Sequence, residues 1–489
     1  MRYDRDHPHY RWIVLTNTTL GVLLSVLVVM FGRLGDLFGR VRIYNLGFSV
    51  FAVSAVALSI DPFHGGSGAL WIIVWRVVQG IGGAMLMANS SAILTDAFPA
   101  RQRGTALGIN MVAAVWSYRS LHEVGVRTAG RVDWAGTLTF GLGVTALLTG
   151  ITYGIQPYGG HPTGWLSPWV LGAVLAGVLL LVAFCVVEAT VPDPMFQLTL
   201  FRDRVFGLGN FADLMAAIGR GGLQFMLIIC LQGIWLPLHG YDYESTPLWA
   251  GIYLLPLTVG FLAAGPLAGW LSDRYGPRTF TTGGAVLTGL TFLALLLIPV
   301  DFNYWVFALV VLLNGIGSGL FVSPNTATIM SSVPAAQRGA ASGMRGTLFN
   351  GGNALSLGIF FSLMVVGLAA TLPAALNDGL QAQGVSAGAA GEVASLPPVA
   401  SLFAAFLGFN PIRELLGPTG ELDRPGVNAE VLTGQEFFPN LITGPFHTGL
   451  VMVFVTAAVM MFLAAVASWF GGDDYVRDEA EELRAVAAP

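Results

Sequence analysis

The feature that most constrains the fold of this 489-residue chain is a series of long apolar segments joined by polar connections. A helix needs about 20 apolar residues to cross the hydrocarbon core of a bilayer. Eleven segments approach or exceed that length, and a twelfth, over 105–118, is shorter and interrupted. We therefore predict an all-α polytopic membrane protein. The eleven segments are 12–31, 43–60, 70–94, 134–155, 168–187, 206–237, 248–270, 280–299, 304–330, 341–369 and 446–470.

The arginines predict how these segments are oriented. All 23 basic residues are arginines, and the cytoplasmic connections of membrane proteins carry an excess of positive charge. From residue 134 onward, arginine-rich and arginine-poor connections alternate from one segment to the next. We therefore expect a multi-pass protein of the cell (plasma) membrane, with its N- and C-termini in the cytoplasm.

This alternation fails in two places near the N-terminus. Arg11 precedes the first segment and Arg33 follows it, and arginines also flank 105–118 on both sides. A single crossing cannot join two cytoplasmic connections. Either these segments are re-entrant, or a helix is missing near 24–28 and another near 114–117. Missing helices are the preferred interpretation, because both junctions are abrupt.

A polar hairpin provides the strongest sign of internal duplication. Its sequence at 32–42 is Gly-Arg-Leu-Gly-Asp-Leu-Phe-Gly-Arg-Val-Arg, and a related Gly-Trp-Leu-Ser-Asp-Arg-Tyr-Gly-Pro-Arg stands at 269–278. Two further pairs follow in the same order, and the distance from the second feature to the third is 19 residues in each half. Such matched order and spacing predict two homologous halves, as in carriers with a substrate site between their halves. The further pairs are 76–82 with 314–317, and 99–104 with 334–339.

The hairpins have two possible roles. One is that of a topology anchor, which explains the arginines without any part in transport. The other is that of a conformational latch, in which Asp36 accepts hydrogen bonds at a helix start or pairs with Arg40, and Asp273 acts likewise in the second half. The candidate latch residues are Gly32, Arg33, Gly35, Asp36, Gly39, Arg40, Arg42, Gly269, Asp273, Arg274, Gly276 and Arg278.

These motifs resemble those of the major facilitator superfamily. The two hairpins resemble its loop signatures, and Arg76 with Gln79 and Gly80 resembles the helix-four motif of its proton-coupled antiporters. Two additional segments between the halves resemble the 14-span drug:proton antiporter group. The resemblance implies two pseudo-symmetric helical bundles, here with about 11–12 spans of an expected 14. The helix-five antiporter motif of that group is absent, and so is one helix before the first hairpin.

This comparison also suggests how the chain is divided. The N-terminal bundle is expected to be incomplete, and the long segment before the last span reads as an external loop or small cap, partly disordered. The predicted divisions are the N-terminal bundle (1–133), two linker spans (134–204), the C-terminal bundle (205–369), an extracytoplasmic loop (370–445), the last span (446–470) and an acidic cytoplasmic tail (471–489).

Ionisable residues inside apolar segments are expensive to insert and are therefore functional candidates. The resemblance implies a role in proton coupling for Arg76, with Gln79 and Gly80; a packing role is the alternative. Asp213 and Arg220 are seven residues apart and share one helix face, so protonation of the carboxylate could switch its partner. The alternatives there are a structural ion pair and a position of Asp213 in the headgroup region. Arg345 begins its segment and is interpreted as a membrane-edge anchor.

Several classes of function are excluded or disfavoured. The chain lacks lysine and therefore any Walker-type nucleotide motif, and it shows no nucleophile constellation, no metal-ligand spacing and no basic surplus for nucleic acid. We expect no enzymatic activity and no cofactor.

The leading hypothesis is a proton-coupled exporter of small amphipathic compounds, of the multidrug efflux type, which works by alternating access in the lipid bilayer. The alternatives are a truncated, transport-incompetent relative and a carrier-like lipid exporter or sensor.

Overall fold

A computed structural model describes residues 27–60, 66–97, 133–299, 302–407 and 410–471, apart from 29, 193 and 195. Most of the segment 12–31, the segment 105–118 and the junction near 114–117 lie outside these residues, as does the acidic tail beyond 471.

The described residues contain ten stretches that are long and apolar enough to cross a membrane, and they form no named β-strand. The prediction of an all-α polytopic fold is therefore confirmed. The stretches match the remaining ten predicted segments. The helices are α1 (30–38), α2 (Arg40–Ser59), α3 (Gly66–Ala97), α4 (Trp134–Gly154), α5 (Pro168–Thr190), α6 (Arg204–Gly221), α7 (Leu223–Cys230), α8 (Thr246–Tyr253), α9 (Leu255–Tyr275), α10 (Pro277–Leu296), α11 (Tyr304–Ser331), α12 (Arg338–Ala382), α13 (Ala387–Ala394), α14 (Pro398–Leu407), α15 (Ile412–Leu416), α16 (Ala429–Leu432) and α17 (Phe437–Gly471).

The helices of the first part of the chain pack in pairs that are adjacent in sequence, and those of the second half form one larger bundle. Helix α2 packs on α3, and α4 packs on α5, whereas α6, α9, α10, α11, α12 and α17 contact one another in the second half. Phenylalanines without exposed surface fill the centre of that bundle, among them Phe292, Phe321 and Phe360. Helix α12 also contacts α3, so it joins the second half to the first.

The two hairpins share a backbone conformation that glycine favours. Gly39 precedes α2 with φ of 107°, and Gly276, at the same motif position, precedes α10 with φ of 86°. A side chain disfavours this region because Cβ meets the neighbouring backbone. The repeat found in the sequence is therefore also a repeat of backbone geometry.

Replacing Gly276 by Ala should lower the free energy of unfolding by about 1–3 kcal/mol, the usual cost of a side chain in this region. The matched control is Gly283→Ala, within α10, where an added Cβ meets no atom within 4 Å. Unfolding of the purified protein in detergent measures both. Equal stability of the two variants would contradict a requirement for glycine in the hairpin.

The segment between the last two long helices is a small helical cap. Helix α12 continues beyond the predicted boundary to Ala382 and α17 begins at Phe437, so the connection is shorter than 370–445. The expectation of partial disorder is not met by the described part of this segment, because it contains α13–α16. Leucine, isoleucine and valine side chains from these helices form a separate apolar cluster. Hydrogen bonds from Ser386 hold the pKa of the Glu421 carboxyl below its ordinary value.

The cap is tied to the end of the second bundle at which α12 ends and α17 begins. Helix α14 packs on the π-helical turn Leu231–Trp235 that follows α7. The Tyr243 hydroxyl donates to the Gln435 carbonyl at 2.8 Å, and burial raises the pKa of Tyr243 to about 12, so this donor keeps its proton at physiological pH. The cap therefore covers that end of the bundle as an ordered layer.

Candidate functional site

The first hairpin binds the start of a helix from the other half of the chain. The Asp36 carboxylate is 2% exposed. Its Oδ1 accepts hydrogen bonds from Arg40 Nε at 2.8 Å and Nη2 at 2.6 Å. Its Oδ2 accepts the Ala340 N–H at 2.9 Å. Ala340 lies in the first turn of α12, where N–H groups have no partner within the helix and the helix dipole favours negative charge.

Glycines allow this close approach. A Cβ on Gly32 would lie 2.5 Å from the Gly339 carbonyl oxygen, and a Cβ on Gly339 would overlap the Asp36 carboxylate. A Cβ on Gly35 would overlap the Asn89 side chain of α3. A side chain at Gly32 would press on the backbone of α12, whereas one at Gly35 or Gly339 would displace the Asn89 or the Asp36 side chain from its hydrogen bonds.

Arg40 makes a second contact between the halves. Its Nη2 donates to the Ala335 carbonyl at 3.0 Å, just before α12. Burial raises the pKa of the Asp36 carboxyl, and the Arg40 guanidinium and the Ala340 N–H oppose that rise. These two donors thus favour the charged form of Asp36 in a site that excludes water.

The second hairpin makes different contacts. The Arg274 guanidinium lies over the Tyr275 ring at 5.5 Å, and that of Arg278 lies over the Trp469 ring at 4.1 Å. Asp273 is half-buried. The segment 99–104, which corresponds by the repeat to the start of α12, lies outside the described residues. The latch role stays a prediction for all twelve hairpin residues, although the contacts of Asp36 and Arg40 with the start of α12 agree with it.

Arg76 pairs within its own helix. Its Nη1 donates to Gln79 Oε1 at 2.9 Å, on an exposed face of α3, and Gly80 is buried. These three residues belong to the first half, whereas Asp213 and Arg220 lie on α6 in the second. Proton coupling at Arg76 stays a prediction.

Asp213 is a buried carboxylate whose ion partner comes from α12. It has no exposed surface, and Arg345 Nε lies 3.1 Å from Oδ2. Neither carboxylate oxygen accepts a hydrogen bond from the described residues. Arg345 therefore has a specific ion partner, and its position at the membrane edge stays a prediction. Helix α12 begins at Arg338, so Arg345 lies two turns inside the helix and faces α6.

Arg220 is not the direct partner of Asp213. Its Nε donates to the Ala216 carbonyl of its own helix at 3.3 Å, although the two side chains still interact electrostatically. The prediction that both share a face of one helix is correct in spacing. The spacing could not identify Arg345 as the ion partner of Asp213, because Arg345 belongs to α12, far along the chain.

The predicted uninterrupted helix over 206–237 is broken beside Arg220. Helix α6 ends at Gly221 and α7 begins at Leu223. Ser356 of α12 spans the break, because its hydroxyl accepts the Gly222 N–H at 2.8 Å and donates to the Ile218 carbonyl. The Gly221-Gly222 pair was the sequence signal for this break, since sharp changes in helix direction occur at glycine pairs.

A cavity of 290 Å³ opens at this break. Helices α6, α7, α9, α11 and α12 contribute its walls. Of the residues proposed from the sequence, Arg220 is the one that lines it. The lining residues are Arg220, Gly221, Leu223, Gln224, Leu257, Thr258, Phe261, Asn314, Gly315, Ser318, Phe349 and Asn353. Asn314 belongs to the repeat segment 314–317, whereas Gln224 and Asn353 carried no sequence signal, because uncharged polar side chains are common in apolar segments.

Replacing Ser356 by Ala should destabilise the protein by about 1–3 kcal/mol, because the Gly222 N–H and the Ile218 carbonyl lose a buried partner. Ser395→Ala is the matched control, since Ser395 is exposed and its hydroxyl bonds only the end of α13. Thermal unfolding in detergent compares the two. A loss no larger for Ser356→Ala than for Ser395→Ala would contradict the role of Ser356 at the break.

Comparison with known proteins places this arrangement among transporters. The family description "Major Facilitator Superfamily" matches residues 9–118 and 134–357. The match is interrupted between 118 and 134, next to the second junction. The similarity covers well over half of the chain, which is enough to establish the family.

Curated relatives are similar at low identity. The Tetracenomycin C resistance and export protein of Streptomyces glaucescens is 24% identical over 94% of this chain and 84% of its own length. The Methyl viologen resistance protein SmvA of Salmonella typhimurium is 27% identical, over 79% of this chain and 82% of its own. The Riboflavin transporter RibZ of Clostridioides difficile is 23% identical, over 73% and 80%. A solved bacterial homologue of the human lysosomal transporter Spinster aligns with 96% of this chain and 99% of its own at a TM-score of 0.40 and 16% identity.

Proposed function

The chain belongs to the major facilitator superfamily, and from that premise we propose that it is a proton-coupled secondary transporter that exports small amphipathic compounds by alternating access. Its family and its curated relatives point to a transporter rather than an enzyme. Proton coupling, the direction of transport and the substrate class are parts of the proposal. So are a plasma-membrane location and cytoplasmic termini.

The proposal rests mainly on the buried position of Asp213. Among the twelve predicted apolar segments it is the sole carboxylate. It has no exposed surface, and its ion partner Arg345 lies on another helix. A buried carboxylate with one ion partner and no hydrogen bond from the described residues is suited to exchange a proton, because protonation removes a charge from a low dielectric.

Helix α12 connects this proton site to the hairpin. Its first turn donates the Ala340 N–H to Asp36, and Arg345, five residues later, pairs with Asp213. Protonation of Asp213 would release Arg345 and loosen α12 from α6. A displaced α12 would also change its contact with Asp36. In this mechanism, proton binding in the second half biases the closure between the halves.

The test is transport into proteoliposomes under an imposed pH gradient. We expect riboflavin or tetracenomycin C, the compounds named for two relatives, to move only when the gradient is present. An ionophore that collapses the gradient is the control. If both compounds moved equally fast with and without the pH gradient, proton coupling would be contradicted. Absence of any movement would favour the second candidate.

That second candidate is a transport-incompetent relative, and one observation favours it. The spanning windows of α2 and α3 are each 22% buried, against 28–61% for the described windows from α6 to α17, while the window of the linker helix α5 is 17% buried. Large apolar side chains such as Phe51, Val56 and Leu70 face outward from this pair. A bundle that lacks neighbouring helices would show such faces.

A further inference from the structure

We propose that the cavity beside the α6–α7 break selects planar aromatic compounds that are neutral or anionic, and rejects organic cations. This inference rests on the transport function proposed above and names the substrate class of that function. It follows from where the charges of the apolar segments lie and from what lines the cavity.

The charge balance of the predicted spans is positive. The twelve apolar segments contain three arginines, Arg76, Arg220 and Arg345, against one carboxylate, Asp213. A desolvated organic cation requires a nearby negative charge, because its charge is costly to remove from water. Within the predicted segments Asp213 is the one carboxylate that could supply it, and Glu188, a buried carboxylate near the end of the spanning helix α5, does not line the cavity.

That carboxylate is not available to a cargo in the cavity. Asp213 has no exposed surface, is paired with Arg345 and does not line the cavity. Arg220 does line it and is the one charged residue among the lining residues that the structure describes. A cation in this cavity would therefore meet a positive charge in a low dielectric, where repulsion is much stronger than in water.

The remaining lining groups suit a polar, uncharged ring system. Gln224, Asn314 and Asn353 offer amide donors and acceptors, and Thr258 and Ser318 offer hydroxyls. Phe261 and Phe349 supply ring faces for stacking. A volume of 290 Å³ lies near the lower end of ligand pockets, of about 300–1,000 Å³. It therefore fits one fused ring system with carbonyl or hydroxyl substituents.

An anionic substituent would gain most from Arg220. The guanidinium has five N–H donors and one, at Nε, bonds the Ala216 carbonyl. A hydrogen bond to a charged group is worth roughly a factor of ten to a hundred in affinity. The order of affinity should therefore be carboxylate first, neutral amide second and quaternary ammonium last, on one ring scaffold.

The test uses three probes with the same rings: anthraquinone-2-carboxylate, anthraquinone-2-carboxamide and a trimethylammonium-methyl anthraquinone. Equilibrium dialysis against the full chain in neutral detergent measures each Kd, with protein-free micelles as the blank. We expect the Kd of the carboxylate to be lower than that of the ammonium compound by a factor of about ten or more. Arg220→Gln should raise the Kd of the carboxylate by about tenfold and change the Kd of the carboxamide by less than about twofold. The control Arg413→Gln, at an exposed arginine of the cap helix α15, should change neither.

The inference is overturned if the ammonium compound binds as tightly as the carboxylate, if the carboxylate preference survives Arg220→Gln, or if no probe binds. The comparison of probes on the unaltered chain needs no variant, so misfolding of Arg220→Gln would not decide it. Dialysis also needs no pH gradient. A chain that shows the selectivity but no gradient-driven flux would refute the proposed function alone, and gradient-driven flux of the cation would refute this inference alone.

Discussion

Replacing Asp36 by Asn should lower gradient-driven transport by about tenfold or more at unchanged membrane abundance, because hydrogen bonds to a charged group contribute about 1.5–3 kcal/mol each. Asp36 serves two donors, Arg40 and the Ala340 N–H, with two oxygens. Asn has one acceptor oxygen and no charge, so buried Arg40 would lose its ion partner. The equilibrium between open and closed arrangements would shift, and the cycle would slow.

Asp203→Asn is the matched control. Asp203 also caps a helix, since its carboxylate accepts the Phe206 N–H at 2.9 Å, but that helix belongs to its own half. Asn caps helices about as well as Asp, so this variant should transport normally. Transport per molecule, normalised to protein in the membrane, is the measurement. Unchanged transport in Asp36→Asn would reduce the first hairpin to a topology anchor.

Replacing Asp213 by Asn should abolish the dependence of transport on the pH gradient, because an amide cannot exchange the proton. Exchange of substrate across the membrane without a gradient should persist. The variant also leaves Arg345, whose side chain is 15% exposed, without its ion partner, and breaking a largely buried ion pair costs up to about 3–5 kcal/mol. We therefore expect a lower melting temperature together with the loss of coupling.

The double variant Asp213→Asn with Arg345→Gln separates the two effects. It removes the unpaired charge, so most of the stability should return, whereas gradient-driven transport should stay lost. Thermal unfolding in detergent and flux in proteoliposomes are measured on the same preparations. Recovery of gradient-driven transport in the double variant would show that Asp213 acts through stability and is not the proton site.

Much of the fold could be predicted from residue order alone. The length and hydropathy of each apolar segment predict a membrane span, and ten of the predicted segments are helices of spanning length in the described residues. The hairpins and their matched spacing predicted the duplication, and the shared positive φ of Gly39 and Gly276 agrees with it. Asp36 and Arg40 were found as a pair because they are one helical turn apart.

The site could be predicted only in part. Asp213 and Arg220 were found because charge inside an apolar segment is rare. Arg345 was predicted only as an edge residue, since it stands near the start of a segment, and its pairing with Asp213 depends on how α12 packs against α6. Gln224 and Asn353 carried no comparable signal.

The sequence by itself determined that the chain is a duplicated set of membrane helices joined by twin hairpins, because hydropathy and motif spacing belong to each segment locally. The tertiary structure alone decided that Asp36 caps α12, that Arg345 reaches Asp213, and that Ser356 spans the break at Gly222. These contacts depend on the rotation and depth of one helix against another. Many rotations would bury similar apolar surface, so only the packed bundle fixes which polar groups meet.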